Sequence, residues 1–303
     1  EALVRTLRNA GQDVVGLDRL DSVHTDVVAS VVDRPAVRSA MAGADAVLHT
    51  ATLHKPHVMS HPRQAFVETN VTGTLVLLEE AVAAGVGTFV HTSTTSAFGR
   101  ALTPVDGAPA AWITEDVAPR PRNVYGVTKV AAEELCELVA RDDGLPCLVL
   151  RTSRFFPEQD DSEQVRAGYA DGNAKVNELL YRRIDLSDVV QAHLAAMAKA
   201  PEIGFGRYIV SATTPFGPGD LAELRRDARG WSSDCSPTTR TSTHGWAGGC
   251  SPASTASTSM RGRERTWAGN PAMTSATPWS SSGPGRSRAA SSRPASEPRA
   301  TTP

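Results

Sequence analysis

Two side chains in the stretch "RNVYGVTKVAAEE" have the chemistry and the spacing to move a proton: Tyr125 and Lys129, four residues apart. Positions i and i+4 share one face of a helix, so an ammonium at Lys129 lies near the Tyr125 phenol and favours its ionised form. A phenol has an ordinary pKa of about 10 and needs such lowering to act as a general base near neutrality. The plainer alternative is a helix that carries a tyrosine and a solvated lysine. A second group of reactive side chains sits in "HTATLHKPHVMSHPR", which gathers His49, His54, His57 and His61. Three imidazoles can hold a metal, but no cysteine or carboxylate joins them locally, so no metal is expected.

The elements that must position these residues alternate in type. Up to about Arg226, β-rich runs ("DVVGLD", "DVVAS", "DAVLHT", "TFVHTS", "PCLVLRTS" and "GRYIVSA") are separated by helical runs, which is the pattern of βαβ units on a parallel sheet. In "GTLVLLEEAVAAG" the spacing puts Leu75, Leu78 and Val82 on one face and ends the helix at Gly85; the helix that carries Tyr125 ends at Gly144. In "YRRIDLSDVVQAHLAAM" Ser187 is placed to cap a helix, and Arg182 and Arg183 read either as phosphate contacts or as a solvated pair. The expected fold is α/β, a doubly wound, Rossmann-like parallel sheet over residues 1–227.

The chain opens directly on an amphipathic helix, "EALVRTLRNAG", closed by Gly11 and followed by a strand. A dinucleotide-binding fold places a strand and a glycine-rich loop just before that helix, so the reading is of a fold lacking its first strand and loop. After Leu224 there is no Leu, Val, Ile, Phe or Tyr. Residues 228–303 are therefore expected to be a low-complexity tail, either disordered or translated out of frame. Shifting "CSPASTASTSM" to the third base of each codon permits "LPGIDRVYVN", and two further stretches regain apolar periodicity in the same frame.

The 303 residues hold 31 basic and 33 acidic side chains, which gives a formal charge of -2 and no electrostatic case for nucleic acid or membrane. A cytoplasmic protein is expected. Of the four cysteines, Cys136 and Cys147 are expected reduced in the core, and Cys235 and Cys250 complete a set with no C-x-x-C spacing.

In order along the chain, "GLDR", "VLHTAT", "NVTGTLVLLEEA", "FVHTSTTSAFG" and "VYGVTK" resemble the motifs of the extended short-chain dehydrogenase/reductases, the NAD-dependent epimerase/dehydratase family. The resemblance covers about residues 1–226. It implies that Tyr125 is the general base, that Lys129 also bonds the nicotinamide ribose, and that Thr94, with Ser93 as the competing position, bonds the substrate oxygen. Asp18, at a strand end, can accept both ribose hydroxyls of the adenosine half and favours NAD, whereas Arg19 beside it suits a 2′-phosphate and NADP. Ser30 and Val31 stand where relatives touch adenine, without the usual acid. Thr50, Ala51 and Asn70 fall where the family lines the cofactor.

Two places depart from the pattern. Thr95 and Ser96 replace the Asp-Glu that dehydratases use for water elimination, which argues against a dehydratase. Arg154, in "SRFFPEQDD", stands at an asparagine position and either recognises a carboxylate or phosphate or pairs with Asp160 or Asp161. The resemblance puts His54 and His57 beside the substrate pocket, with plain loop histidines as the alternative. It implies an NAD(P)-dependent epimerase or dehydrogenase acting at a carbinol carbon of a sugar nucleotide or related small molecule, with a homodimer as the assembly it allows. A non-catalytic dinucleotide-binding protein, or an inactive gene fragment, is the alternative.

Overall fold

The computed structural model describes residues 1–156, 183–227 and 256–258, so all of the tail but Ala256–Thr258, including Cys235 and Cys250, lies outside the described residues together with Asp160, Asp161 and Arg182. In chain order the elements are α1 (Ala2–Asn9), β1 (Leu17–Asp18), β2 (Val27–Val28), α2 (Arg34–Ala40), β3 (Ala46–His49), α3 (Arg63–Phe66), α4 (Gly73–Ala84) and β4 (Thr88–Thr94). They continue with β5 (Ala111–Ile113), α5 (Val124–Asp142), β6 (Cys147–Thr152), β7 (Phe155–Phe156), β8 (Ile184–Asp185), α6 (Leu186–Ile203), β9 (Phe205–Val210) and β10 (Ala256–Thr258).

Four parallel strands in the order β3-β4-β6-β9 form the main sheet. Side chains alternate across a strand, so one run of apolar residues fills two cores. Phe89, Cys147 and Val149 face a cluster with Val37, Leu78, Cys136 and Val139 from α2, α4 and α5. Val90, Leu148 and Leu150 face the other way, onto Val189 and Ala196 of α6. Helices on both faces of a parallel sheet make the expected doubly wound α/β architecture.

Two local expectations are corrected, and one is extended. The runs "DVVGLD" and "DVVAS" contribute only Leu17–Asp18 and Val27–Val28, which pair with each other in a separate two-stranded sheet. Side chains take the backbone groups that would have extended that ladder. Arg8 donates to the Val14 carbonyl at 3.1 Å, and the Gly16 amide donates to the Asp26 carboxylate at 2.6 Å. α4 ends at Gly85 as expected and carries Leu78 and Val82 into the core; because the helix lies between α2, α5 and the sheet, Thr74, Val76, Leu77 and Ala81 are buried as well. The cap of α6 is Asp185, whose carboxylate accepts from the Ser187 amide at 2.8 Å and the Ser187 hydroxyl at 2.7 Å. A carboxylate at that position outcompetes a hydroxyl because it also meets the positive end of the helix dipole.

The start of α4 shows why a glycine stands in "NVTGT". A Cβ at Gly73 would lie 2.5 Å from Val31 Cγ2, so the bare backbone lets α4 settle over the loop after β2. At the far end, Glu80 of α4 takes Arg34 at 2.9 Å and Arg38 at 2.7 Å, clamping α2 in place. Among the described residues no helix is long and apolar enough to cross a membrane.

Candidate functional site

β4 is the strand around which the site is built, and three consecutive side chains divide between its two neighbouring helices. His91 accepts from Lys129 of α5 at 3.0 Å, and Ser93 donates to Glu133 of the same helix. Thr92 bonds His193 of α6 at 2.7 Å, while Thr94, the last residue of the strand, accepts from the Ser96 amide at 3.1 Å. The alternation separates the two candidate hydroxyls. Ser93 is committed to a buried network in which Glu133 also pairs with Arg151 at 2.8 Å. Thr94 stands at the carboxyl end of the sheet, where ligands of parallel α/β folds bind.

Tyr125 is brought to that same end by the start of α5. Asn123 caps the helix, accepting from the Gly126 amide at 3.0 Å. A Cβ at Gly126 would stand 2.8 Å from Pro121 Cβ and 3.1 Å from the Ser96 carbonyl, so glycine after the tyrosine lets α5 press against the turn that follows Thr94. Tyr125 is buried against Leu53, which lies over it as a lid from the segment after β3, and against Phe66 of α3.

Lys129 is 1% exposed, which excludes the solvated-lysine alternative. Its ammonium donates to the Thr92 carbonyl at 2.7 Å as well as to His91. Burial brings its pKa down from 10.5 to about 8, against the opposing attraction of Glu133 and Cys136. Beside it, burial and the Lys129 charge hold the His91 imidazole well below its ordinary range, with His49 adding to the effect. Cys136 and Cys147 are buried free thiols, as expected, and the hydrogen bond with Cys147, then burial, pushes the Cys136 thiol well up.

Asn70 is more a tie-bar than an open contact. Its amide donates to the Leu53 carbonyl at 2.9 Å and to Thr128 at 3.0 Å, and its carbonyl accepts from the Leu53 amide at 2.8 Å and Thr52 at 3.0 Å. It thereby fixes the segment holding Thr50 and Ala51 to the helix of Tyr125. Asp18, at the carboxyl end of β1, is exposed and accepts from the Leu20 amide at 2.9 Å through one oxygen, and Arg19 beside it is exposed. Ser30 is half-buried in a turn, accepting from the Asp33 amide at 2.9 Å, and Val31 is buried in the core under α4.

The histidine loop is divided by the structure. His49 is on β3, buried, and bonded to Thr74 at 2.9 Å, so it does not belong with the others. His54, His57 and His61 stack edge to face in a turn at 4.5 and 5.0 Å, and His57 Nδ1 accepts from the His54 amide at 3.1 Å. Partial burial, then the charges of His54 and His61, lower the His57 pKa. Arg154 is half-buried beyond β6, and Arg183 is 1% exposed, which removes the solvated-pair alternative for it. Sequence reasoning missed His91, Glu133 and Arg151; a histidine and an arginine inside otherwise apolar strands were the available signals.

A sequence model of the NAD dependent epimerase/dehydratase family matches residues 1–210. A dTDP-glucose 4,6-dehydratase from Streptomyces antibioticus is 34% identical over 146 residues, 48% of this chain and 41% of that protein, so the chain spans under half the length of that relative. A UDP-glucose 4-epimerase from Thermotoga maritima, solved with UDP-glucose, aligns with a TM-score of 0.55 and 25% identity, covering 78% of this chain and 80% of its own. MoeE5, solved with UDP-glucose and NAD, aligns with a TM-score of 0.56 and 26% identity over 76% of this chain and 78% of its own.

Proposed function

Since the chain belongs to the NAD-dependent epimerase/dehydratase family, we propose that it performs NAD(P)-dependent hydride transfer at a carbinol carbon of a sugar nucleotide or related small molecule. One observation carries this reading: a fully buried lysine ammonium lies one helical turn beyond Tyr125, on the helix that abuts the turn after Thr94. The described residues fit a dinucleotide. Asp18 offers an exposed carboxylate at a strand end for the ribose hydroxyls, and two N–H groups of Lys129 bond protein while its third has no acceptor among the described residues. When bound, the nicotinamide supplies the hydride acceptor.

The chain's own residues handle the proton. Tyr125 takes it from the substrate hydroxyl, Thr94 bonds the substrate oxygen, and Lys129 favours the phenolate and holds the nicotinamide ribose. Ser30, Val31, Thr50, Ala51 and Asn70 line or shape the cofactor side, and His57 and Arg154 face substrate. With Thr95 and Ser96 following Thr94, the acid and base of a dehydratase are missing, and the reading is an epimerase or a dehydrogenase.

The test is a thermal-shift titration of the full chain with NAD and NADP, followed by a screen of UDP- and dTDP-sugars for reduced nicotinamide or C4 inversion. NAD is expected to stabilise the protein, and Asp18→Gly to erode the preference over NADP. Stabilisation by neither dinucleotide would overturn the cofactor assignment.

A further inference from the structure

The contact between Lys129 and His91 fixes a protonation state. A lysine ammonium has only donors, so the ring nitrogen 3.0 Å away, Nε2, must accept, and the proton of the neutral imidazole is on Nδ1. That Nδ1 is buried and has no hydrogen-bond partner among the described residues. The neighbouring ring, His49, is in the opposite tautomer. The Thr74 hydroxyl spends its one proton on the Asn70 carbonyl at 2.7 Å, so it accepts from His49 Nε2 at 2.9 Å. Two histidine rings 5.0 Å apart thus hold their protons on different nitrogens, and the costlier arrangement, a buried donor without an acceptor, is the one that serves Lys129.

We propose that His91 is a positioning residue: as the Nδ1–H tautomer it accepts from Lys129 and, with the Thr92 carbonyl, fixes the ammonium so that its third N–H is presented to the cofactor. The proposal rests on the reading of Lys129 as a cofactor-binding lysine. The titratable groups that act on the pair are His49 from β3 and Glu133 and Cys136 from α5, with Cys147 of β6 bonded to Cys136 beyond them. Glu133 is already matched by Arg151. An acceptor favours the charged form of its donor, so losing His91 makes Lys129 give up its proton at lower pH.

The first measurement is the tautomer of His91 in the full chain, labelled with ¹⁵N-histidine and read by two-bond ¹H–¹⁵N correlation at pH 7. The expected result is a neutral ring protonated on Nδ1, with the preference lost in Lys129→Met. An Nε2–H ring, or a spectrum unchanged by Lys129→Met, would overturn the proposal. The second is NAD affinity against pH in His91→Phe and His91→Gln. His91→Phe should bind roughly tenfold more weakly near pH 8, with the midpoint of its pH dependence moved down, and His91→Gln, which keeps an acceptor, should recover most of the loss. Equal weakening at every pH in both variants would make His91 merely structural and overturn the proposal. A wild-type chain with the expected tautomer but no NAD binding would sink the cofactor reading instead, leaving the Lys129–His91 contact standing.

Discussion

Glu133 and Arg151 meet at 2.8 Å beneath the strand that ends in Thr94, and the two side chains are 0% and 3% exposed. Glu133 also takes the Ser93 hydroxyl, and Arg151 lies over the Phe98 ring at 5.0 Å. A buried pair of this kind is costly to break from one side, because the surviving charge stays in the interior. Glu133→Ala should therefore cost about 3–5 kcal/mol in urea unfolding. Ser93→Ala should cost about 1–2 kcal/mol. A Glu133→Ala protein as stable as the parent would show that water reaches Arg151.

The same network gives the two hydroxyls different partners, Glu133 for Ser93 and the Ser96 amide for Thr94, and the proposed function gives them different roles. Once a turnover substrate is found, Thr94→Val should lower kcat by about 10²-fold or more while leaving the urea midpoint nearly unchanged, and Tyr125→Phe should lower it by about 10²–10⁴-fold without loss of NAD binding. Ser93→Ala should do the reverse, costing stability and sparing kcat. If Ser93→Ala proves the slower enzyme, the assignment of Thr94 is wrong.

Acid should loosen the protein earlier than its carboxylates alone would suggest. Burial, with the charge of Lys129, depresses the His49 pKa from 6.5 to about 3, and His91 moves in the same direction. A depressed folded-state value means that the unfolded chain binds the proton first. The stability is complete above pH 6.5 and is lost progressively as the pH falls toward 3. Urea midpoints from pH 7 to pH 4 should drop steeply, and His49→Gln should flatten part of that slope. A slope unaltered by His49→Gln would place the titrating groups elsewhere.

Asn70 offers a separate handle on the lid over Tyr125. Asn70→Ala strands the Leu53 amide and carbonyl, and the loss should be about 2–4 kcal/mol, from buried groups left unpaired. Exchange of the Leu53 amide should accelerate together with that loss. Unchanged protection at Leu53 would show that the lid is held by its apolar contacts with Tyr125 and Phe66.

Much of this arrangement is legible in the sequence where the signal is local. β4, β6 and β9 each carry a short buried apolar stretch, Phe89–Val90, Cys147–Leu150 and Tyr208–Val210, and α4 and α5 stop near glycines, so periodicity and punctuation suffice. Tyr125 and Lys129 are one helical turn apart and need only the helix to share a face. What the sequence conceals is every contact made across the fold. His91 reaches Lys129 over 38 positions, and Asn70 reaches Thr128 over 58. The burial of Lys129, the loss of His49 from its loop neighbours and the capture of Ser93 all follow from strand pairing and helix docking, which spacing along the chain does not encode. At β1 and β2 the sequence overstated the strands, since Arg8 and Asp26 intercept the backbone groups that a ladder would use.

The division between the two sheets also sets an order of opening. β6 is hydrogen-bonded along both edges and all six of its residues are buried, whereas β1 and β2 have only each other among the described residues. Cooperative units with fewer shared bonds open at lower free energy. The corner that carries Asp18 can therefore fray while Thr94, Tyr125 and Lys129 stay locked, so in native-state exchange the amides of β1 and β2 would exchange well before those of β4 and β6.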